Sequence, residues 1–237
     1  MSTPWSEWSG PDDPVVPGHR LRHQAMNTMF ELVIDHADAT YAAQAARATF
    51  GQLDQLENKL SRFIESSEIS RLNRSTTAQP IRLGPDVFAC LAQARELHAE
   101  TTGAFDVSLG TGLASIELDQ PSLSARKTHP GAEVDLGGIG KGYALDQLVA
   151  VLEDWDIQRV CLIGGGSSIR ALEPPSGLPG WPVGVGSGHA RIQLCRASLG
   201  ASGTGAQGEH IVDPADPDRR LPSRRTWVCT ESAARAD

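Results

Sequence analysis

The spacing of apolar and polar positions changes along this chain, and the changes mark its elements. Residues 29–35 (MFELVID) alternate well enough for a β-strand. Between 41 and 60 the period lengthens. Ala46, Phe50, Leu53, Leu56 and Leu60 recur at helical spacing and predict an amphipathic helix with one core-facing stripe. A second helix is expected from 86 to about 100, with Val87, Leu91, Ala94 and Leu97 on one face. Residues 107–131 are loosely patterned, end in His-Pro-Gly and read as a connection. A short strand is predicted at 133–136, then a glycine cluster, then a helix from about 141 to 155. Residues 159–163 are apolar and β-prone, and Gly164-Gly165-Gly166 breaks that run. Short strands follow near 183–185, 191–195 and 226–230, punctuated by Gly and Pro.

Helices and strands mix without a strict βαβ rhythm, which predicts an α+β fold rather than a doubly wound sheet. The first 24 residues, rich in Pro, Gly, Ser and Asp, read as a flexible leader, leaving 25–237 as the functional domain. A chain of 237 residues is long enough to bury a sizeable core.

Composition narrows the function classes. Hydrophobic residues are 40% of the chain, charged residues 21%, and the formal net charge is -8. An acidic chain lacks the cationic face by which a general nucleic-acid binder displaces counterions, so no nucleic-acid partner is expected. A small anionic ligand remains compatible, because a helix start and a metal ion can hold a phosphate locally. Cys90, Cys161, Cys195 and Cys229 are scattered without a C-x-x-C pair, which favours buried thiols over a structural zinc site. No basic start followed by an apolar run is visible, and no stretch approaches the roughly 20 apolar residues that span a bilayer. A cytoplasmic protein without a membrane span is the expectation.

The most informative segment is DLGGIGKGYALD, residues 135–146. Glycines at a helix start let backbone amides approach a phosphate, and Lys141 adds a positive charge. Two familiar phosphate motifs fail. A Walker A loop needs Ser or Thr straight after its Lys, where this chain has Gly142. A dinucleotide fingerprint needs its third glycine three residues after the second, whereas Gly138, Gly140 and Gly142 run at a spacing of two. Spacing alone leaves open a bare glycine-rich turn with a solvated lysine.

Ordered blocks resolve that ambiguity through a resemblance. DLGGIGKGYALD is similar to the D-L-G-G-I-A-K-G-Y-A-V-D signature of the FAD:protein FMN transferases, the ApbE-like family, with Gly140 where that pattern usually has Ala. Residues 56–73 (LENKLSRFIESSEISRLN) resemble its S-E-I-S-x-L-N segment, and 101–106 (TTGAFD) its T-G-G-A-F-D block. Residues 162–169 resemble a G-G-x-I turn, 201–214 (ASGTGAQGEHIVDP) an S-G…H-I-x-D-P block, and Met26-Asn27-Thr28 an M-G-T start. The resemblance runs from about residue 26 to 237.

What it implies is an ApbE-like α+β domain, a mixed sheet with flanking helices in two closely packed lobes. Its members use magnesium to cleave the pyrophosphate of FAD, attach FMN to a Thr hydroxyl of a target flavoprotein and release AMP. By resemblance, Gly137 and Gly138 sit against the diphosphate, and Gly140 gives a backbone carbonyl to the metal. Lys141 lies close to the phosphates. Asn73, Ser70, Asp106 and Asp146 line or brace the flavin and adenosine pockets, and Ser202 joins the FAD contacts. His210 is the candidate base or phosphate contact. Asp237 matches the first metal ligand of the family's A-D-A-x-x-T segment, whose Thr position falls past the last residue of this sequence. The chain also has Ala215-Asp216 where the family continues Thr-Gly, and a short 106–135 connection without its Trp-Gly-Phe stretch. The shortened metal-ligand segment implies an incomplete metal site and makes a non-catalytic FAD-binding protein or a FAD pyrophosphatase the alternative reading.

Overall fold

The computed structural model describes residues 16–77, 79–108, 110–185, 190–202, 212–213, 216–220 and 226–237. The chain divides into two compact units, the first holding residues 1–54, 141–202 and 225–237, the second 55–140 and 203–224.

The first unit is built on a six-stranded sheet in which every pairing is antiparallel. Its strands are β1 (His19–Ala25), β2 (Thr28–Ile34), β6 (Val160–Gly164), β7 (Ser168–Ala171), β10 (Ala197–Ser202) and β13 (Thr226–Thr230), in the order β1-β2-β6-β7-β10-β13. Met26 and Asn27 join the first two strands with positive φ angles of 49° and 56°. That is the two-residue turn whose twist matches a hairpin, and Asn is among the residues that tolerate it. β1 corrects the expected 24-residue leader, because His19 to Ala25 pair with Ile34 to Thr28. The strand lies at a sheet edge and carries only Leu21 and Ala25 as apolar residues, and that polarity reads as leader in sequence.

β6 is buried along its whole length. One side of this sheet closes on the two-stranded ribbon β8 (Trp181–Val185) and β9 (Ala190–Leu194). There Val33, Cys161, Ile163, Ile169, Ala171 and Leu199 pack with Trp181, Val183 and Leu194. The buried Trp181 gives its indole N–H to the carbonyl of Glu173 at 2.8 Å, as a fully enclosed Trp must.

Helix α1 (Ala39–Leu60) buries Ala42, Ala45, Ala46, Leu53, Leu56 and Leu60, the helical stripe seen in sequence. Asp38 starts it by accepting from the Thr40 and Tyr41 amides at 2.8 and 3.1 Å. Helix α4 (Gly140–Asp154) buries Ala144, Leu145, Leu148 and Leu152.

The second unit holds the last turn of α1, α2 (Glu68–Arg74), α3 (Pro85–Glu100) and a three-stranded sheet ordered β3 (Ile81–Arg82), β5 (Ser124–Lys127), β4 (Ile116–Asp119). β11 (Val212–Asp213) and β12 (Asp216–Arg220) pair with one another. The β4–β5 hairpin corrects the expected connection over 107–131. Its inward positions include Ile116, Ala125 and a buried lysine, Lys127, too weak an apolar alternation to register as strands. The expected strand at 133–136 is also corrected. Its backbone joins no sheet, since Asn73 takes both polar groups of Val134 and the Asp135 amide goes to the Val107 carbonyl at 2.7 Å.

Candidate functional site

In the first unit the chemistry gathers where the chain's last residues meet the start of α4. Ser232 caps the single turn α5 (Ala233–Ala236), and Asp237 follows. The Asp237 side chain is only 5% exposed. Its Oδ2 accepts the Gly142 amide at 2.9 Å, and its Oδ1 accepts the Ser168 hydroxyl. Lys141 Nζ lies 3.6 Å from Oδ2, with its side chain 19% exposed. A carboxylate, an amide donor and an ammonium are thus brought together at a helix start, with residues 95 or more positions apart in sequence.

Two glycines make room for this approach. A Cβ on Gly142 would stand 2.2 Å from the Ala233 carbonyl oxygen, and one on Gly200 would stand 1.8 Å from that of Ala236. Gly142 therefore serves a close backbone crossing, a reason for a glycine inside a helix that the spacing of the motif does not reveal.

Asp146 lies just over one helical turn beyond Gly142. Its Oδ2 accepts from the Ser232 hydroxyl at 2.7 Å and the Ala234 amide at 3.0 Å, and its Oδ1 from the Ala233 amide at 2.9 Å. Arg170 places Nε 3.7 Å from Asp146 Oδ1, and its Nη1 donates to Ser198 Oγ at 3.2 Å and to the Glu231 carbonyl. Ser202 sits at the exposed end of β10, opposite Thr226.

In the second unit, Asn73 is the expected FAD residue bonded to the segment that leads into the glycine turn. Asn73 Nδ2 donates to the Val134 carbonyl at 2.9 Å, and its Oδ1 accepts the Val134 amide at 2.8 Å. The buried Lys127 holds the Asn73 carbonyl at 2.6 Å. Ser70 gives its hydroxyl to the Arg62 carbonyl at 2.9 Å, shaping the loop before α2. Asp106 accepts from the amide and the hydroxyl of Ser108 at 2.7 and 2.5 Å. Asp135 caps the 3-10 turn Leu136–Gly138 by accepting the Gly137 amide at 2.9 Å, and its other oxygen meets Arg62 Nε at 2.9 Å. A Cβ on Gly138 would lie 3.4 Å from the Phe105 ring, whereas one on Gly140 would have nothing nearer than 4.0 Å.

Sequence reasoning missed Ser168, Arg170, Asp135, Arg62 and Phe63. Phe63 is 82% exposed with the Arg62 guanidinium 4.7 Å over its ring, and an aromatic left in solvent beside a motif loop was a usable signal. Ser168 and Arg170 carried none, since only the sheet register sets them facing the C-terminal turn. His210 lies outside the described residues.

For magnesium, Asp237 is the carboxylate these residues offer, and among the described residues no group of three or more His, Cys, Asp or Glu stands together. That donor set suits Mg2+, which takes one or two carboxylates and completes its shell with waters and substrate phosphates. Each Asp237 oxygen has one of these donors on it and a second lone pair left over.

The described architecture is that of flavin transferases of known structure. The ApbE protein of Thermotoga maritima superposes with a TM-score of 0.82 at 20% identity, covering 91% of this chain and 82% of that one. The flavin transferase ApbE of Vibrio cholerae gives 0.77 at 21% identity, covering 94% and 84%. The chain belongs to the ApbE family, whose model matches residues 26–114 and 110–237. The FAD:protein FMN transferase of Chlamydia trachomatis is 27% identical over 252 residues, 90% of this chain and 79% of that protein. That of Chlamydia muridarum is 28% identical over 200 residues, and the match spans 70% of this chain but only 62% of the relative's length. Among the described residues no helix is long and apolar enough to cross a membrane.

Proposed function

We propose that this protein transfers the FMN moiety of FAD to a Thr hydroxyl of a target flavoprotein, with magnesium and with release of AMP. The observation that carries the proposal is the buried Asp237 carboxylate held between the Gly142 amide, the Ser168 hydroxyl and Lys141 at the start of α4. A carboxylate so firmly held at a glycine-rich helix start has a use when a cation must be presented to phosphates. The relatives' names as FAD:protein FMN transferases supply the reaction.

In the transfer, the Thr oxygen bonds to the FMN phosphorus and the bridging P–O bond to AMP breaks. The hydroxyl proton passes to a base, for which His210 is the candidate, and AMP leaves with the bridging oxygen. Lys141 supplies charge against the phosphates, while Gly137 and Gly138 leave the backbone open to them. Asp237 would hold Mg2+, which when bound offsets the diphosphate charge that repels an incoming hydroxyl. Asn73 and Ser70 fix the segments that shape the second unit's loops, and Asp106 stiffens its own turn. The exposed ring of Phe63 is the surface we assign to flavin stacking.

The test is AMP release from FAD in the presence of a flavoprotein acceptor carrying a target Thr, by Lys141→Ala and Asp237→Asn beside the unaltered chain. Both variants are expected to lose about 100-fold or more in rate, as removal of a transition-state charge contact does. Retention of full rate by Asp237→Asn would contradict the proposal.

A further inference from the structure

Asp146 stands inside the motif that resembles an FAD-binding signature, yet its carboxylate is committed elsewhere. Three donors converge on its two oxygens: the Ser232 hydroxyl, the Ala233 amide and the Ala234 amide, at 2.7 to 3.0 Å. Those two amides belong to the first turn of α5, where a helix has no internal acceptors for them. We infer that Asp146 is a positioning residue that holds the N-terminus of α5 and, through it, the Asp237 carboxylate. This rests on the reading of Asp237 as the metal ligand.

Four observations carry the inference. α5 is one turn, far below the length at which a helix is stable alone, so tertiary bonds must fix it. The coupling to Asp237 is direct, because the Asp237 amide donates at 3.0 Å to the carbonyl of Ala233, whose own amide Asp146 holds. The crossings at Gly142 and Gly200 leave the turn no slack, so a shift at its start carries Asp237 with it. Arg170 binds the Glu231 carbonyl and lies 3.7 Å from Asp146, so the residue preceding the cap is held by the same charge pair. A carboxylate with three donors and a guanidinium around it has little capacity left for a ligand. Against a diphosphate it would also be repelled.

The test compares the full chain with Asp146→Asn, Ser232→Ala and Asp237→Asn. Three quantities are measured: the Mg2+ dissociation constant with FAD present by calorimetry, the FAD dissociation constant in chelator, and amide hydrogen exchange of residues 230–237. Asp146→Asn keeps the shape but turns one acceptor into a donor. It is expected to weaken Mg2+ binding about 10- to 100-fold, the usual cost of losing a group that orients a ligand, and to speed exchange at 233–237. FAD affinity in chelator should stay within about twofold. Ser232→Ala removes one of the three bonds and should fall between, which guards against reading a misfolded variant as a positive. Unchanged exchange in Asp146→Asn would overturn the inference, as would an equal loss of FAD affinity with and without metal. Equal Mg2+ binding by the parent and Asp237→Asn would sink the metal reading alone, and exchange at 233–237 would still decide the clamp.

Discussion

The Ala233 carbonyl oxygen lies 2.2 Å from the point where a Cβ on Gly142 would stand, so the C-terminal turn crosses α4 at a position only glycine can occupy. The Gly142 amide at the same crossing donates to Asp237. Packing and the presented carboxylate are therefore set by one residue. Gly142→Ala is expected to lose about 1–3 kcal/mol of stability despite the better helix propensity of Ala, because the obstacle is backbone. Urea unfolding measures it.

Gly140, two residues earlier, has the opposite expectation. Nothing stands closer than 4.0 Å to its missing Cβ, and it opens a helix. Gly140→Ala should raise stability by up to about 1 kcal/mol in the same titration, since Ala restricts the unfolded chain at a site that accepts it.

This contrast marks how far the sequence could be read. The long helices α1 and α4 were legible because each buries an unbroken stripe, and strand β2 because it is a short apolar run, interrupted only by Glu31, that is buried from Phe30 to Ile34. The motif blocks located the glycine turn and Asp237 through resemblance. What could not be read was why each motif residue is there: Gly142 answers to Ala233, and Asp146 to Ser232, some 90 positions away. β10, with sequence ASLGAS, carries Gly200 for the Ala236 carbonyl rather than for the sheet, so its β-propensity is too low to show. The stretch at 133–136 looked like a strand because a side chain, Asn73, does there what a neighbouring strand would do.

Asn73 is accordingly expected to matter for stability as much as for any ligand. Asn73→Ala leaves the amide and carbonyl of the buried Val134 without partners and should cost about 1–3 kcal/mol. Asn73→Asp should do no better, because a carboxylate cannot donate to the Val134 carbonyl. Chemical denaturation of both variants without FAD checks this. A stable Asn73→Asp would contradict it.

Phe63 should behave in reverse. At 82% exposure its removal is expected to change stability by less than about 0.5 kcal/mol. If the ring stacks on flavin, Phe63→Ala should weaken FAD binding by about fivefold, near 1 kcal/mol, while Phe63→Tyr retains it. Quenching of flavin fluorescence on titration distinguishes the two variants.

The thiols give a pH expectation. Burial pushes Cys90 up to about 12 from an ordinary value of 9.0, and pushes Cys161 up as well, with Glu31 adding to the effect. Above pH 9 the unfolded chain sheds these protons while the folded chain keeps them, so stability should fall as pH rises from about 9 towards 12. At pH 8 a thiol reagent should label Cys195 and Cys229, which are exposed, and reach Cys90 and Cys161 only on unfolding. Mass spectrometry after labelling with and without urea reads this directly.

The most direct test of the central claim is to incubate the full chain with FAD, Mg2+ and a flavoprotein acceptor carrying a target Thr. AMP and the acceptor's intact mass are then followed together. Flavin transfer predicts one AMP released for each acceptor that gains the mass of FMN less one water, and no gain in an acceptor whose Thr is replaced by Val. AMP release with an unmodified acceptor, or retained FAD with neither product, would contradict it.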